Sequence, residues 1–123
     1  VQQRTFYDAN IIIYRLADVI LLRAEALNEL GRTADAIADL NRIRTRAGLP
    51  ATTATTPAQV KDAILKERYV ELCAEGKRWF DLIRNGVVTR EQPLITSPAN
   101  YLWPINENLL NANNRLVQND FYK

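Results

Sequence analysis

The feature that most constrains the fold is a stretch from Asn10 to Leu30 in which apolar residues recur at helical spacing on two sides of a helix. One side contains Ile13, Leu16, Ala17, Ile20, Ala24 and Leu27, and the other contains Val19, Leu22, Ala26 and Leu30. A helix that is apolar on two sides packs between neighbours. We therefore expect this helix to be sandwiched, either by a later helix or by a missing domain, or to cause self-association of the chain.

A second helix follows after a short turn. Gly31 ends the first helix, Thr33 is expected to cap the second, and Gly48 and Pro50 close it. Its apolar residues at helical spacing are Ile37, Leu40, Ile43 and Ala47. Residues 10–50 are thus predicted to form a helical hairpin. Its sequence fits the spacing of a tetratricopeptide unit, with Ala24 as a small residue of the first helix, Gly31 at the turn, Ala36 early in the second helix and Pro50 after it.

The rest of the chain is predicted to contain one long helix and an irregular tail. The threonine-rich residues 51–56 are interpreted as a solvated linker or mobile loop. Thr56, with a proline next and Gln59 three residues on, predicts a capping box for a third helix over 57–86, with a break or kink at Gly76 and an end at Gly86. Residues 87–123 are predicted to be an irregular tail, in which the asparagine-rich stretch 106–119 forms a series of turns. The fold class is all-α, of the α/α superhelix type, with 1–123 as one domain.

Composition excludes several functions. The 16 basic and 14 acidic residues are interleaved, which argues against a nucleic-acid partner. The chain has no histidine and one cysteine, Cys73, which we expect to be a buried hydrophobe, so we predict no metal or cofactor site.

No apolar stretch is long enough to span a membrane. The absence of methionine and of a signal peptide indicates a fragment of a larger protein.

Two carboxylates continue an apolar stripe of the third helix. Val60 and Ile64 are followed in line by Glu67 and Glu71. One hypothesis is a glycosidase that uses these two acids. However, acids on one helix do not flank a bond from opposite faces, and neighbouring arginines lower their pKa values.

We therefore predict a structural ion-pair network and no catalytic residue. Its members are Glu67, Arg68, Glu71, Glu75 and Arg78. Further arginines of packed helices are candidate partners, namely Arg15, Arg23 and Arg44.

The aromatic side chains are a second set of candidates, because flat amphipathic rings can stack on sugars. They are Trp79, Phe80, Tyr101, Trp103, Phe121 and Tyr122. The first four are expected to pack in the core.

The segment ERYVELCAEGKRWFDLIRNG, residues 67–86, resembles the pattern ERR-x-EL-x-x-EG-x-RW-x-DL-x-R of the SusD/RagB family. The flanks YRLADVILLRAEALNELG, LNRIRTRAGLP and YLWPINENLLNANNRLVQNDFY are also similar to segments of that family. The resemblance covers about Asn10 to Tyr122. The departures are Tyr69 and Lys77, where arginine and histidine are common, and Asp120 and Phe121, where proline and glycine are usual.

This resemblance implies the carboxy-terminal part of an outer-membrane lipoprotein exposed on the cell surface and anchored through a lipidated cysteine outside this chain. Such a protein binds glycans or other nutrients and delivers oligosaccharides to a SusC-like TonB-dependent transporter. It is not an enzyme. In the family the glycan contacts lie mostly elsewhere, so this segment is expected to be mainly scaffold. The alternative is a tetratricopeptide-type adaptor that binds a partner protein.

Overall fold

A computed structural model describes residues 13–123, and all of its regular elements in that range are helical. The prediction of an all-α chain is confirmed. The main helices are α1 (Leu16–Glu29), α2 (Thr33–Arg46), α3 (Pro57–Glu71), α4 (Arg78–Arg84), α5 (Val88–Glu91) and α6 (Glu107–Ala112). Residues Pro98–Tyr101 and Asp120–Tyr122 form 3₁₀ turns. The chain divides into two compact units, Val1–Arg78 and Trp79–Lys123, where the sequence suggested one domain.

Helix α1 begins later than the periodicity predicts. Of the predicted start, residues 10–12 lie outside the described chain, and residues 13–15 precede the helix, with Arg15 extended at the N-cap. The predicted end is where expected. Gly31 adopts a φ of 77°, and the amides of Gly31 and Arg32 donate to the carbonyls of Asn28 and Leu27. This bonding pattern is a Schellman motif, and it needs a residue that tolerates the left-handed conformation.

The N-terminus of α2 differs from the prediction by one position. Thr33 is the first helical residue, and Arg32 occupies the N-cap without a side-chain cap. Arg32 instead donates to Asp35 at 2.7 Å, so the acid of the first turn is held by the capping residue itself. The charges of α2 complement the helix dipole, with Asp35 in the first turn and Arg44 and Arg46 in the last.

The apolar core of the first unit is made by three helices. Its buried residues are Ala17, Ile20, Leu21 and Ala24 of α1, Ala36, Leu40 and Ile43 of α2, and Val60 and Ile64 of α3. Each fully buried large side chain contributes about 1.5 to 3 kcal/mol through removal of its apolar surface from water. Only one apolar side of α1 enters this core. Val19 and Leu30, on the other predicted side, are 54% and 75% exposed.

Residues 51–56, predicted as a solvated linker or mobile loop, contain no helix and are exposed at positions 51, 53, 55 and 56, but they also make contacts to the helices. The amide of Thr52 donates to Asn41 at 2.8 Å, and Ala54 packs against the core. Arg44 donates to the carbonyl of Pro50 at 2.9 Å. Side chains of α2 therefore hold the segment in place, and residue composition alone does not reveal such contacts.

The capping box at the start of α3 is present as predicted. Thr56 accepts from the amide of Gln59, and the Gln59 side chain accepts from the amide of Thr56. The segment 57–86, predicted as a third helix with a break or kink at Gly76, consists of two helices, since α3 ends at Glu71 and α4 begins at Arg78. Ala74 and Gly76 have φ values of 63° and 71°, and two left-handed residues so close together cannot continue a right-handed helix.

The second unit is built from short helices joined by bonds from side chains to backbone. The predicted irregular tail, 87–123, includes α5, α6 and the two 3₁₀ turns. The side chain of Gln118 accepts from the amide of Ile105 and donates to its carbonyl, both at 2.9 Å. Asn119 donates to the carbonyl of Trp103. Amide side chains thus pair two extended segments of backbone without forming a strand.

Candidate functional site

The carboxylate of Glu67 is held by α2. Glu67 is buried near the middle of the last two turns of α3, and Arg44 donates to its Oε2 at 2.9 Å. Arg44 also holds Pro50 through its Nε. One guanidinium therefore connects α2, α3 and the segment between them. Arg44 was among the predicted candidate partners.

Glu71, the last residue of α3, is shared by two arginines. Arg15 donates to Glu71 Oε1 at 2.5 Å and to the Glu71 carbonyl, and Arg46 donates to the same Oε1. Arg15 also donates to Glu75 at 2.7 Å. The hydrogen bond to Glu71 raises the pKa of Arg15, burial opposes this, and Glu75 adds to the rise. The end of α3 is thus clamped to the start of α1 and the end of α2.

A third ion pair, between Asp18 and Arg68, is the most deeply buried. The two side chains are 1% and 2% exposed, and Arg68 Nη2 lies 2.8 Å from Asp18 Oδ1. Lys77 Nζ lies 3.5 Å from the other carboxylate oxygen. Within residues 13–123, no N–H is aligned on either oxygen as a hydrogen bond, although both are at ion-pairing distance. Arg68 also donates from Nη1 to the backbone carbonyl of Asp18 at 3.3 Å, so an ion pair and a hydrogen bond together connect α1 to α3 here.

Lys77 and Arg78 anchor the turn that follows α3. Lys77 donates to the carbonyl of Ile13 at 2.7 Å, and its Nζ lies 3.9 Å from the centre of the Tyr14 ring. Arg78 donates to the carbonyl of Leu65 at 3.3 Å and stacks over Tyr69 at 4.6 Å. Of the five predicted network residues, Glu71 and Glu75 share Arg15, while Glu67 pairs with Arg44, Arg68 with Asp18, and Arg78 stacks over Tyr69.

Sequence reasoning missed Asp18 and misassigned Arg23. Arg23 donates both its Nε and Nη2 to Asp39, at 2.7 and 2.5 Å, and contacts neither Glu67 nor Glu71. This hydrogen bond lowers the pKa of Asp39, while burial acts in the opposite direction. Asp18 carried a usable signal, since it is the only acid within the largely apolar segment IIIYRLADVILL, in which Arg15 is the only other charged residue. An acid placed among residues that are to be buried requires a buried cation.

The aromatic residues and the cysteine also differ from expectation. Trp79 and Tyr101 are half-buried and make an edge-to-face contact with ring centres 6.1 Å apart. Phe80 and Trp103, expected in the core, are 65% and 79% exposed. Cys73 is exposed and is not the buried hydrophobe predicted. It lies in the turn after α3, where the helical periodicity that suggested burial no longer applies.

The recognisable motif is thus a set of contacts among helices. Its charged members Glu67, Arg68 and Glu71 each bond to a residue of α1 or α2, or to Arg15 just before α1. Asp81, also buried, is paired with Arg84 one turn later at 2.8 Å. The model of the SusD family matches residues 1–93, three quarters of the chain. The chain belongs to the SusD family.

Individual relatives agree with this assignment. The chain is 40% identical to SusD-like protein P38 of Formosa agariphila over 91% of its own length and 24% of that protein. It is 34% identical to the starch-binding protein SusD of Bacteroides thetaiotaomicron over 100% of its own length and 23% of that protein.

A solved structure supports the fold as well as the family. The crystal structure of a SusD superfamily protein from Bacteroides thetaiotaomicron matches with a TM-score of 0.80 and 36% identity, covering 92% of this chain and 26% of that one. The present chain therefore spans about a quarter of the length of the SusD-family proteins that it resembles.

Proposed function

We propose that this chain is the helical scaffold of a glycan-binding protein of the cell surface. In the complete protein, other segments would provide most of the contacts to the glycan. The proposal is supported by membership of the SusD family and by the starch-binding relative to which the whole chain aligns. The complete protein would deliver oligosaccharides to a SusC-like TonB-dependent transporter.

The observation that carries the scaffold role is the burial and pairing of the motif's charged groups. Glu67 and Glu71 have side chains only 7% and 10% exposed, and arginines of other segments bind Oε2 of Glu67 and Oε1 of Glu71. A sugar-binding site needs polar groups that are free to exchange water for ligand hydroxyls. Charges already bonded between helices stabilise the arrangement of those helices instead.

The same contacts argue against a glycosidase. A general acid must hold a proton at working pH, which requires an environment that disfavours the carboxylate. Arg44 pairs with Glu67, and Arg15 and Arg46 pair with Glu71, so neither acid lies in the apolar, cation-free surroundings that a general acid needs. We therefore propose that the protein binds its glycan without cleaving it.

The place of the protein at the outer membrane is part of the same proposal. None of the helices within residues 13–123 has the length and apolar character that crossing a bilayer would require. We propose that the complete protein is held at the outer surface by a lipid attached to a segment outside this chain. A lipid anchor needs no spanning helix.

The test compares the complete protein with variants of its motif. Binding of starch-type oligosaccharides and of a glycan array would be measured by calorimetry and array fluorescence for the parent and for Glu67→Gln, Glu71→Gln and Glu107→Gln. Glu107 is an exposed acid of α6 and provides the matched control. We expect all four proteins to bind within about twofold below their melting temperatures, with the first two variants melting earlier.

Three results would contradict the proposal. Loss of binding in Glu67→Gln at unchanged melting temperature would place Glu67 in the ligand site. Release of reducing sugar by the parent, abolished in the same variant, would identify a glycosidase. Full-strength binding by residues 1–123 alone would move the glycan site into this chain.

A further inference from the structure

One asparagine of the chain is followed directly by a glycine, in the pair Asn85–Gly86 at the end of α4. The other three glycines follow leucine, alanine and glutamate. Asparagine deamidates fastest before glycine, because glycine has no side chain to hinder attack by its backbone nitrogen. Asn85 is therefore the residue of this chain most open to deamidation by its neighbour when the chain is unfolded.

Deamidation at this pair needs no reagent except water. The backbone nitrogen of Gly86 attacks Cγ of Asn85, and the new N–Cγ bond closes a succinimide ring. The side-chain nitrogen leaves as ammonia and carries away the proton lost by the attacking nitrogen. Water then opens the ring at one of its two carbonyls, which yields aspartate or isoaspartate. The reaction therefore requires a Gly86 amide that is free to lose its proton and to approach Cγ.

In the folded chain the attacking nitrogen is occupied. The Gly86 amide donates to the carbonyl of Ile83 at 3.1 Å, and the Val87 amide donates to that of Leu82 at 3.0 Å. Gly86 has a φ of 67°, and these two bonds form the Schellman motif that ends α4. Leu82 and Val88, on either side of the motif, are buried. An amide held in this way reacts only when the helix end opens.

The side chain of Asn85 is occupied as well. Its Nδ2 donates to the carbonyl of Asp81 at 3.0 Å. A carboxylate in its place has no N–H to donate, so one of its oxygens would face that carbonyl oxygen. It would also add a negative charge beside the last carbonyls of α4 and one turn from the carboxylate of Asp81, which is 1% exposed. Isoaspartate lengthens the backbone at the motif in addition. Both products therefore weaken the helix end that protects the unmodified residue.

We propose that Asn85 is a site of spontaneous deamidation that the end of α4 keeps closed, and that opening of this end commits the chain to an irreversible change. The reaction turns a neutral amide into an acid at a position where the fold needs a donor. A modified molecule therefore opens more readily than an unmodified one. The extent of modification records how often the helix end has opened. The inference concerns the second unit alone and is independent of glycan binding.

The first experiment incubates the complete protein at mildly alkaline pH, in native buffer and in guanidinium chloride. Peptide mapping by mass spectrometry gives the rate of deamidation at Asn85, and labelling by isoaspartyl methyltransferase identifies isoaspartate. We expect the native rate to be at least about tenfold lower than the denatured rate, since the reaction needs local opening. Asn111, exposed in α6 and followed by alanine, is the control and should remain an amide under both conditions.

A second experiment changes the opening without changing the reacting groups. Val88→Ala removes a fully buried side chain beside the motif and should raise the native rate about tenfold, with the denatured rate unchanged. Val117→Ala, at a side chain 68% exposed, is the matched control and should leave both rates unchanged. Asn85→Asp reproduces the product and should accelerate hydrogen exchange of the Gly86 amide, whereas Asn111→Asp should not.

Each of the opposite results would overturn the inference. Equal rates in native buffer and in denaturant would show that the helix end gives no protection. A denatured chain that keeps Asn85 unmodified would exclude the site. A native rate that Val88→Ala leaves unchanged would separate the reaction from opening of α4. Unchanged exchange at Gly86 in Asn85→Asp would show that the product does not weaken the helix end.

Discussion

In residues 13–78, helices of 14 and 15 residues enclose an apolar core and are tied together by ion pairs far apart in sequence. In residues 79–123 the helices are seven residues or shorter, and amide side chains bond to nearby backbone. The structure of the first unit depends on which faces of its helices pack together. The second depends on individual hydrogen bonds that replace secondary structure. The two units should therefore respond differently to loss of charge and to loss of an amide.

The largest effect should come from Asp18→Asn in the first unit. The change leaves Arg68 buried without its carboxylate, which costs about 3 to 5 kcal/mol of unfolding free energy. Urea unfolding followed by circular dichroism measures it. Asp35→Asn, in an exposed pair with Arg32, is the control and should cost under about 1 kcal/mol. Equal losses in the two variants would show that burial of the ion pair is unimportant.

An intermediate effect is expected where the first unit's ion pairs reach its surface. Glu71→Ala removes bonds from Arg15 and Arg46 at a side chain 10% exposed, and should cost about 2 kcal/mol. Glu75→Ala removes one bond at a side chain 32% exposed and should cost about 0.5 kcal/mol. Thermal melting of both variants checks the order. If Glu71→Ala melts like the parent, Glu71 does not clamp the helices.

The second unit should be most sensitive at Gln118. Gln118→Ala leaves the amide and carbonyl of Ile105 without their partner, at a cost of about 1 to 2 kcal/mol. Amide hydrogen exchange at Ile105 should accelerate while exchange in α1 and α2 stays unchanged. Asn114→Ala, at an exposed position of the same unit, is the control and should leave Ile105 protected. Acceleration in α1 as well would mean that the two units unfold together.

The same contrast explains which parts of the fold were predictable. The helices α1 and α2 and the capping box of Thr56 follow from local patterns, because burial periodicity and capping act within a few residues. The end of α3 was harder, since Gly76 signalled a kink while the left-handed Ala74 carried no signal. The second unit has little periodicity, so its amide bonds could not be anticipated.

The sequence predicted that the candidate site is a set of buried ion pairs, but it did not predict which residues pair with each other. The position of Glu67 and Glu71 on an apolar stripe indicated buried charge, and the need for arginines followed. Which arginine reaches which acid depends on how α1 and α2 lie against α3, and helical spacing on one element does not determine that. Arg23 illustrates the limit, since it bonds Asp39 across the hairpin instead of an acid of α3.

The smallest expected effect concerns pH and compares one acid of each unit. The hydrogen bond from Arg23 lowers the pKa of Asp39 below 3.8, although burial opposes it, and the hydrogen bond from Lys123 lowers that of Asp120. When the pKa of an acid is lower in the folded protein than in the unfolded chain, its ionised form stabilises the fold. This contribution is complete at pH values above the unfolded pKa and is lost as the pH falls through the folded pKa. The difference in unfolding free energy between the parent and Asp39→Asn should therefore be constant above about pH 5 and shrink below about pH 3.8.

Salt distinguishes the two acids. Asp120 is 91% exposed, so solvent ions reach its pair with Lys123, and the difference between the parent and Asp120→Asn should become very small in about 1 M salt. Asp39 is 10% exposed and bonded by two nitrogens of Arg23, so its pH dependence should persist at the same salt concentration. Denaturant unfolding from pH 2.5 to 7 at low and high salt measures both. A pH dependence of Asp39 that salt removes would mean that its pair behaves as a surface pair, and the contrast between the two units would then not extend to their electrostatics.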